Sequence, residues 1–236
     1  MAISGSNVVA LTSDSSLGMS ITTSSFTTVT GNFYILGSSY NGGGISGVVT
    51  AVTTGLGVVW TTIMNGYVSI SYGLCTAGAT GTLTCTKTPY GDVFYLVDQF
   101  SGVAQSGTNV QTANGTVTLA KTASATLSIT LSAFGSSNNA TYMMAGISSS
   151  NVGSSPTSVT ADSGFTQLAA DSLTYYDLSE FLATSNVAPT VVFGQDNSVG
   201  GHSIMNGIAM EIKSAVVVDA YTNTIINSMM LMGGGI

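Results

Sequence analysis

The stretch TVTLAKTASATLSITLSAF, residues 116–134, decides the fold class. From Val117 to Ala133 its odd positions are apolar except for one lysine, and from Thr116 to Ser132 its even positions are Thr or Ser except for one alanine. Successive side chains on a strand point to opposite faces, so this period predicts one apolar face on a core and one hydroxyl face in water. We predict a half-buried strand over residues 126–134, with the Ala/Lys segment 120–125 as the place where the stretch would bend into two strands.

The chain of 236 residues carries very little charge. Charged residues make up 6% of it, against roughly 25% in an average soluble domain. A formal net charge of −7 without any arginine argues against a nucleic-acid partner, because phosphate neutralisation needs Lys and Arg. The hydrophobic fraction of 44% predicts a folded protein with a Ser/Thr/Gly surface. Such a surface is weakly defended against self-association, so it reflects either a compositional bias of the source or cover by neighbouring subunits.

Targeting signals and cysteines bear on the cellular compartment of the protein and on the redox state of its thiols. The N-terminus has no basic segment, the first lysine is Lys87, and no apolar run approaches the ~18 residues of a spanning helix, so we expect neither a Sec signal peptide nor a membrane partner. Cys75 and Cys85 flank a Gly/Thr-rich loop. A disulfide between them is one interpretation, and reduced thiols, which synthesis in the cytoplasm favours, are the other.

Strand patterns fill most of the chain. Two continuous apolar runs, residues 32–36 and 92–100, predict strands buried on both faces. The remaining strand candidates are half-buried or short: 21–29, 48–53, 58–64, 67–72, 82–86, 140–147, 164–169, 175–183, 190–194 and 203–213. Residues 175–183 also have the apolar spacing of a short helix.

Four Asn-Gly pairs supply turn chemistry. Asn41, Asn65 and Asn114 each precede a glycine between strand candidates, where they predict hairpins. Asn206 precedes a glycine inside a strand candidate, where it predicts a bulge.

An internal repeat relates the two halves of the chain. Residues 32–40 (NFYILGSSY) align with residues 141–149 (TYMMAGISS), which pairs Gly37 with Gly146, and the order of the following elements is the same in both halves. Two such halves could form the two sheets of one sandwich or two tandem small sandwiches. We expect one sandwich, because no Pro-rich or charged linker separates the halves.

The succession of these segments resembles the jelly-roll domains of tailed-phage structural proteins. Phe26-Thr27, Trp60-Thr61, the Tyr-rich strand at residues 67–72 and Ser101-Gly102-Val103 carry the resemblance, which covers roughly residues 20–214. It implies a jelly-roll fold, a virion or surface-display role, and no catalytic activity. We therefore expect an all-β, antiparallel, jelly-roll-like β-sandwich over residues 20–214. An N-terminal arm (1–19) precedes it, and an apolar C-terminal arm or last strand (215–236) follows.

The residues that could carry chemistry are few. His202 enters a strand without a nucleophile motif beside it, so we expect it to be structural or solvent-exposed. Asp92 and Asp98 share one strand face but are about 20 Å apart, too far for a glycosidase pair. A calcium site is a minor alternative for the loop carboxylates Asp171, Asp177, Glu180 and Asp196. A sugar-stacking platform is a minor alternative to cross-strand packing for the aromatic residues Trp60, Tyr67, Tyr72, Tyr90 and Tyr95.

The tail AYTNTIINSMMLMGGGI is the last distinctive segment. It either packs on its own domain or docks on a neighbouring subunit by strand addition, for which methionine offers an adaptable surface. The residues that would make this assembly contact are Ile225, Ile226, Met229, Met230, Leu231 and Met232.

The functional expectation is a non-enzymatic virion protein that needs no cofactor: a capsid decoration, head-fibre or minor capsid component. Its partners would be copies of itself and other virion proteins, and its location the virion. Two alternatives stay open. One is a carbohydrate-binding or adhesive module that uses Trp60 and Tyr67, and the other is an extracellular filament or surface-layer subunit at the cell surface.

Overall fold

The computed structural model describes residues 2–15, 18–41, 48–88, 92–119, 124–149, 156–171, 177–195 and 203–215, among which every regular element is a β-strand. The first half of the chain holds ten strands: β1 (Ser4–Asp14), β2 (Ser20–Thr22), β3 (Phe26–Thr27), β4 (Phe33–Asn41), β5 (Val49–Val52), β6 (Thr61–Asn65), β7 (Val68–Leu74), β8 (Thr80–Gly81), β9 (Thr84–Lys87) and β10 (Asp92–Ser101). The second half holds eight: β11 (Val110–Leu119), β12 (Ser124–Ser128), β13 (Ala140–Ser149), β14 (Pro156–Thr160), β15 (Thr166–Asp171), β16 (Asp177–Leu182), β17 (Thr190–Gln195) and β18 (Ser203–Ile212).

Both halves build the same pair of sheets. The first half forms a five-stranded sheet, β1-β10-β4-β7-β6, and a three-stranded sheet, β2-β9-β5. The second half forms β11-β18-β13-β16-β15 and β12-β17-β14. If the small extra pair β3–β8 is left aside and the strands are numbered within each half, both halves read 1-8-3-6-5 against 2-7-4, a jelly-roll-like order. The all-β, antiparallel, jelly-roll-like fold and the internal repeat are confirmed.

The two halves are two sandwiches, so our expectation of a single sandwich with one sheet from each half was wrong. Each half covers its own five-stranded sheet with its own three-stranded sheet, and the two five-stranded sheets then pack face to face. One hydrophobic cluster lies inside the first sandwich, one inside the second, and a third joins Phe33, Ile35 and Phe100 to Tyr142, Met144 and Ile208 across the junction. The missing Pro-rich or charged linker was a poor guide to one sandwich, because the short segment between β10 and β11 is enough to connect the two.

This four-layer stack explains the continuous apolar runs. In β4, Tyr34 and Leu36 face the core of the first sandwich, whereas Phe33 and Ile35 face the second sandwich. A strand of an inner layer has no solvent face, so both its odd and its even positions are mostly apolar. The predicted buried strands at residues 32–36 and 92–100 accordingly lie in β4 and β10, two of the three interior strands of the first inner sheet.

An outer layer gives the alternating pattern of residues 126–132. Leu127, Ile129 and Leu131 are buried in the second sandwich, and the Thr and Ser residues between them are exposed. Regular strand β12 ends at Ser128, but Ile129 N–H still donates to Pro189 O (3.1 Å) and Leu131 N–H to Val187 O (2.8 Å). The half-buried strand predicted over residues 126–134 is therefore confirmed as a regular strand only to Ser128, and irregular pairing continues it to Leu131.

Other boundaries differ from the expectation. Ser4–Asp14 belongs to β1, which pairs with β10 as an integral edge strand of the first sandwich, although the sequence assigned residues 1–19 to an arm. Residues 177–182 form β16 and not a short helix, because the strand lies between β13 and β15. The sparse apolar residues of β1 misled the first prediction, since an edge strand buries only a few of them.

The four Asn-Gly predictions have different outcomes. Asn65-Gly66 makes the hairpin between β6 and β7, with Asn65 paired to Val68 and Gly66 at φ 57°. Asn114 and Asn206 lie inside β11 and β18, which pair in unbroken register, so the hairpin and the bulge predicted there were wrong. A Cβ on Gly207 would lie 2.7 Å from Leu127 Cδ2, so this glycine lets β12 approach. Asn41 ends β4, and the turn predicted after it lies outside the described residues.

Candidate functional site

Among the residues whose burial the structure describes, no exposed residue is charged. Every exposed position in this set is Gly, Ala, Ser, Thr, Asn, Gln, Val or Met. Two of the larger apolar side chains among them, Val59 and Met64, are 77% and 53% exposed and lie before and within edge strand β6. Soluble domains normally keep charges of both signs on the surface to resist association. This surface has no such protection.

The charged residues whose burial is described lie inside or at the rim of the fold: Lys87, Asp98, Glu180 and Glu211 are buried, and Asp14, Asp162 and Lys213 are half-buried. Lys87 Nζ lies 3.3 Å from Asp14 Oδ1, which ties β9 to β1. Glu211 accepts hydrogen bonds from the side-chain amides of Gln111 and Asn139. The four buried charges are therefore withdrawn from the surface, and the other three are only partly exposed.

Asp98 lies at the junction of the two sandwiches. Its Oδ1 accepts a hydrogen bond from Asn7 Nδ2 (2.8 Å), and its Oδ2 accepts one from Tyr142 Oη of the second half (3.1 Å). Burial raises the pKa of Asp98 to about 6, although both hydrogen bonds favour the ionised form and oppose the shift. The Tyr142–Asp98 hydrogen bond therefore links the two sandwiches through a carboxyl that titrates near neutral pH.

Glu180 is a second buried carboxyl, inside the second sandwich. Its Oε2 accepts the backbone N–H of Asp162 (2.8 Å), and its Oε1 has no hydrogen-bond partner. Burial, together with the nearby Asp162 carboxylate, raises the pKa of Glu180 to about 8.

The sequence signalled only one of these two buried carboxyls. Asp98 lies within a continuous apolar run, which indicates burial, whereas nothing in the residues around Glu180 indicated that Glu180 is buried.

A second polar contact across the junction comes from the β6–β7 hairpin. Asn65 Nδ2 donates to Gly115 O (2.7 Å) and Gly207 O (3.0 Å) of the second half. In return, Asn206 Oδ1 accepts the backbone N–H of Tyr67 (3.3 Å). The sequence analysis predicted a hairpin at Asn65 and a bulge at Asn206. In the structure both asparagines also form hydrogen bonds that join the two halves.

Trp60 and Tyr67 do not form a joint platform. Trp60 is half-buried against the core of the first sandwich, and its Nε1–H donates to Gly55 O (3.1 Å). Tyr67 lies at the other end of β6, with its ring stacked on Tyr40 (centroids 6.3 Å apart). The glycan-stacking role stays a prediction, and the geometry of these two rings gives it no support.

The two cysteines are free and buried. Both belong to the core of the first sandwich, Cys85 within β9 and Cys75 directly after β7. Burial raises the pKa of Cys85 to about 12, so its thiol is protonated and unreactive in the folded protein. The Cys75–Cys85 disulfide is not formed in this structure.

Several predicted residues lie outside the described part of the chain. These are the tail residues Ile225, Ile226, Met229, Met230, Leu231 and Met232, together with His202, Tyr90 and Asp196. Of the calcium candidates, Asp171 and Asp177 pair across β15 and β16, while Glu180 points into the core of its sandwich. Within the described ranges no group of three or more His, Cys, Asp or Glu residues could hold a metal ion.

One cleft lies where the chain leaves the second sandwich. It measures about 610 Å³ and lies between the segment joining the halves, the loop before β13 and residues 213–215. Its lining residues, apart from Lys213, are small or uncharged: Ala104, Ser106, Thr108, Gly135, Ser136, Asn138, Asn139, Ser214 and Ala215. The cleft has the same hydroxyl and amide chemistry as the rest of the surface.

The fold defines a class: a tandem pair of antiparallel jelly-roll-like sandwiches in which no exposed residue of described burial is charged. No protein-family model, curated protein or solved structure matches the chain. In the part of the chain that the structure describes, no helix is long and apolar enough to cross a membrane.

Proposed function

We propose that this chain is a non-enzymatic structural subunit of a virion, a decoration, head-fibre or minor capsid component, that assembles with copies of itself and other virion proteins. The observation that carries the proposal is that no exposed residue of described burial is charged. The charged residues of described burial lie inside the fold or at its rim. Exposed charges therefore do not protect this part of the surface against association. Such a surface suits a subunit whose faces are covered by neighbours.

Two further observations support a structural role. The carboxyls of Asp98, Glu180 and Glu211 are buried and each accepts at least one hydrogen bond inside the fold, so burial closes them to a substrate. The two sandwiches are joined by a continuous apolar cluster and by side-chain hydrogen bonds. A pair of domains fixed to each other in this way suits a subunit of a shell or fibre.

The first experiment measures the mass of the purified full chain by light scattering at 0.05 M and 0.5 M NaCl. Contacts between uncharged surfaces are not screened by salt, so we expect the same oligomer at both ionic strengths. A chain that stays monomeric at both, up to high micromolar concentration, contradicts self-assembly.

A second experiment tests the location. We expect mass spectrometry of purified virus particles to find the chain in a fixed ratio to the shell protein. The same surface would also suit a filament or surface-layer subunit, and recovery of the chain in surface fibres of uninfected cells would favour that function over a virion protein.

A further inference from the structure

The free edges of the sheets differ in how they are protected. Edge strands β1, β5, β14 and β15 each contain a register shift in their pairing. A bulge of this kind twists the edge and blocks pairing with another chain. Edge strands β2, β6, β11 and β12 have no register shift, and β11 is the longest of these four, with ten residues paired to β18 from Val110 to Leu119.

The chemistry of β11 also leaves it open to pairing. Its sequence, VQTANGTVTL, contains neither proline nor a charged residue, the two devices that commonly block an edge. Thr112, Asn114 and Thr116 are exposed along it. None of the described strands pairs with its outer side. The edge is about 33 Å long, at about 3.3 Å per residue.

The chain itself contains a segment suited to this edge. Residues 216–232 are rich in Val, Ile, Thr and Tyr and carry a single charge, Asp219. These residue types favour strands. Fully extended, the segment reaches about 55 Å, which is more than the length of β11.

The starting point of this segment decides which copy it can reach. Lys213 N–H donates to Asn109 O (2.9 Å), so the chain leaves β18 beside the first residue of β11. From there it could follow the edge of its own β11 only in the parallel direction. Every strand pairing described in this protein is antiparallel. A segment from a second copy can enter at the Leu119 end and run antiparallel.

We propose that the edge of β11 accepts residues 216–232 of a second copy of this chain by antiparallel strand addition. Backbone hydrogen bonds along the strand supply the affinity, and the apolar residues of the added strand supply the specificity. This inference rests on the proposed self-assembly and names the surface and the segment that make the contact.

The test compares four forms of the chain by sedimentation velocity and light scattering. They are the full chain, a chain ending at Ala215, the full-length double variant Thr112→Lys/Asn114→Lys, and the matched control Ala10→Lys/Thr12→Lys. Lysines on an edge strand oppose pairing. The control places the same two charges, with the same spacing, at exposed positions of β1, which is already bulged.

We expect the full chain and the control to assemble alike, and the truncated chain to be a folded monomer. The β11 double variant should raise the dissociation constant at least about tenfold while keeping its strand signal in circular dichroism. A synthetic peptide of residues 216–232 should bind the truncated chain, and about tenfold more weakly when the truncated chain carries the β11 lysines.

Three results would overturn the inference, and they are distinguishable from failure of the proposed function. If the full chain is a monomer, self-assembly itself is wrong. If it assembles and the β11 lysines have no effect, or the β1 lysines disrupt assembly equally, the subunit role stands but β11 is not the acceptor. If the truncated chain assembles as well as the full chain, the tail is not the donor.

Discussion

Replacing Asp98 by asparagine should change how the stability of this protein depends on pH. The Asp98 carboxyl is buried between the two sandwiches, and its pKa is raised from 3.8 to about 6. An asparagine keeps the shape of the site. Its Oδ1 can accept from Tyr142 Oη, and its amide can donate to Asn7 once the Asn7 amide has turned over.

The direction of the effect follows from proton binding. Between about pH 4 and pH 6 the folded protein holds a proton on Asp98 that the unfolded chain has lost, so stability falls as the pH rises through this range. A difference of about two pKa units corresponds to about 3 kcal/mol. The wild-type protein should lose this amount by about pH 7, and Asp98→Asn should not.

The assay is urea unfolding at a series of pH values from 4 to 8, followed by the fluorescence of Trp60, the single tryptophan. Asp98→Asn and the wild type should have similar free energies of unfolding at pH 4, and the variant should be more stable by about 3 kcal/mol at pH 8. Tyr142→Phe is the matched control. It removes a hydrogen bond to the carboxylate, so its stability should fall more steeply with pH than that of the wild type.

Two outcomes would refute this reasoning. One is a difference between Asp98→Asn and the wild type that stays constant from pH 4 to pH 8. The other is an Asp98→Asn variant that is no more stable than the wild type at pH 8.

Three further predictions concern Glu180, Gly57 and Cys85. The pKa of Glu180 is raised from 4.5 to about 8, so the wild-type protein should lose up to about 5 kcal/mol of stability as the pH rises from 5 to 9. Glu180→Gln should not show this loss, as measured by the same urea series. Gly57→Ala should cost about 3 kcal/mol or more in thermal unfolding, because its Cβ would lie 1.6 Å from Ala77 O at φ 76°, whereas Gly107→Ala, at φ 77° in open space, should cost about 1 kcal/mol. With Cys85 buried at a pKa of about 12, thiol reagents at pH 8 should modify this cysteine only after denaturant is added; rapid modification of the native protein would contradict its burial.

The sequence carried enough information for the strand content and the repeat. Alternation at residues 126–132 and continuous apolar runs such as NFYIL are local signals, because each reflects how many faces of one strand are buried. The repeat was visible for the same reason, since equivalent strands in the two halves face equivalent surroundings. The edge strand β1 was missed because an edge strand with two bulges shows no regular period.

The candidate contact surfaces were predictable only in part. The low charge of the chain was evident from composition, but the burial of Asp98 and Glu180 depends on side chains from distant strands. Asp98 meets Tyr142, and Glu180 meets the backbone of Asp162. The sequence alone therefore could not show that these two carboxyls lie inside the fold.

The sequence by itself determined the strand pattern, the two similar halves and the uncharged composition, because these depend on local periodicity and residue counts. Only the tertiary structure decided that each half closes its own sandwich and that the two large sheets then pack against each other. The physical reason is that a strand buried on both faces looks the same in sequence whether its second face meets its own half or the other half. Which partner covers a face is decided by the pairing of strands that are distant in sequence.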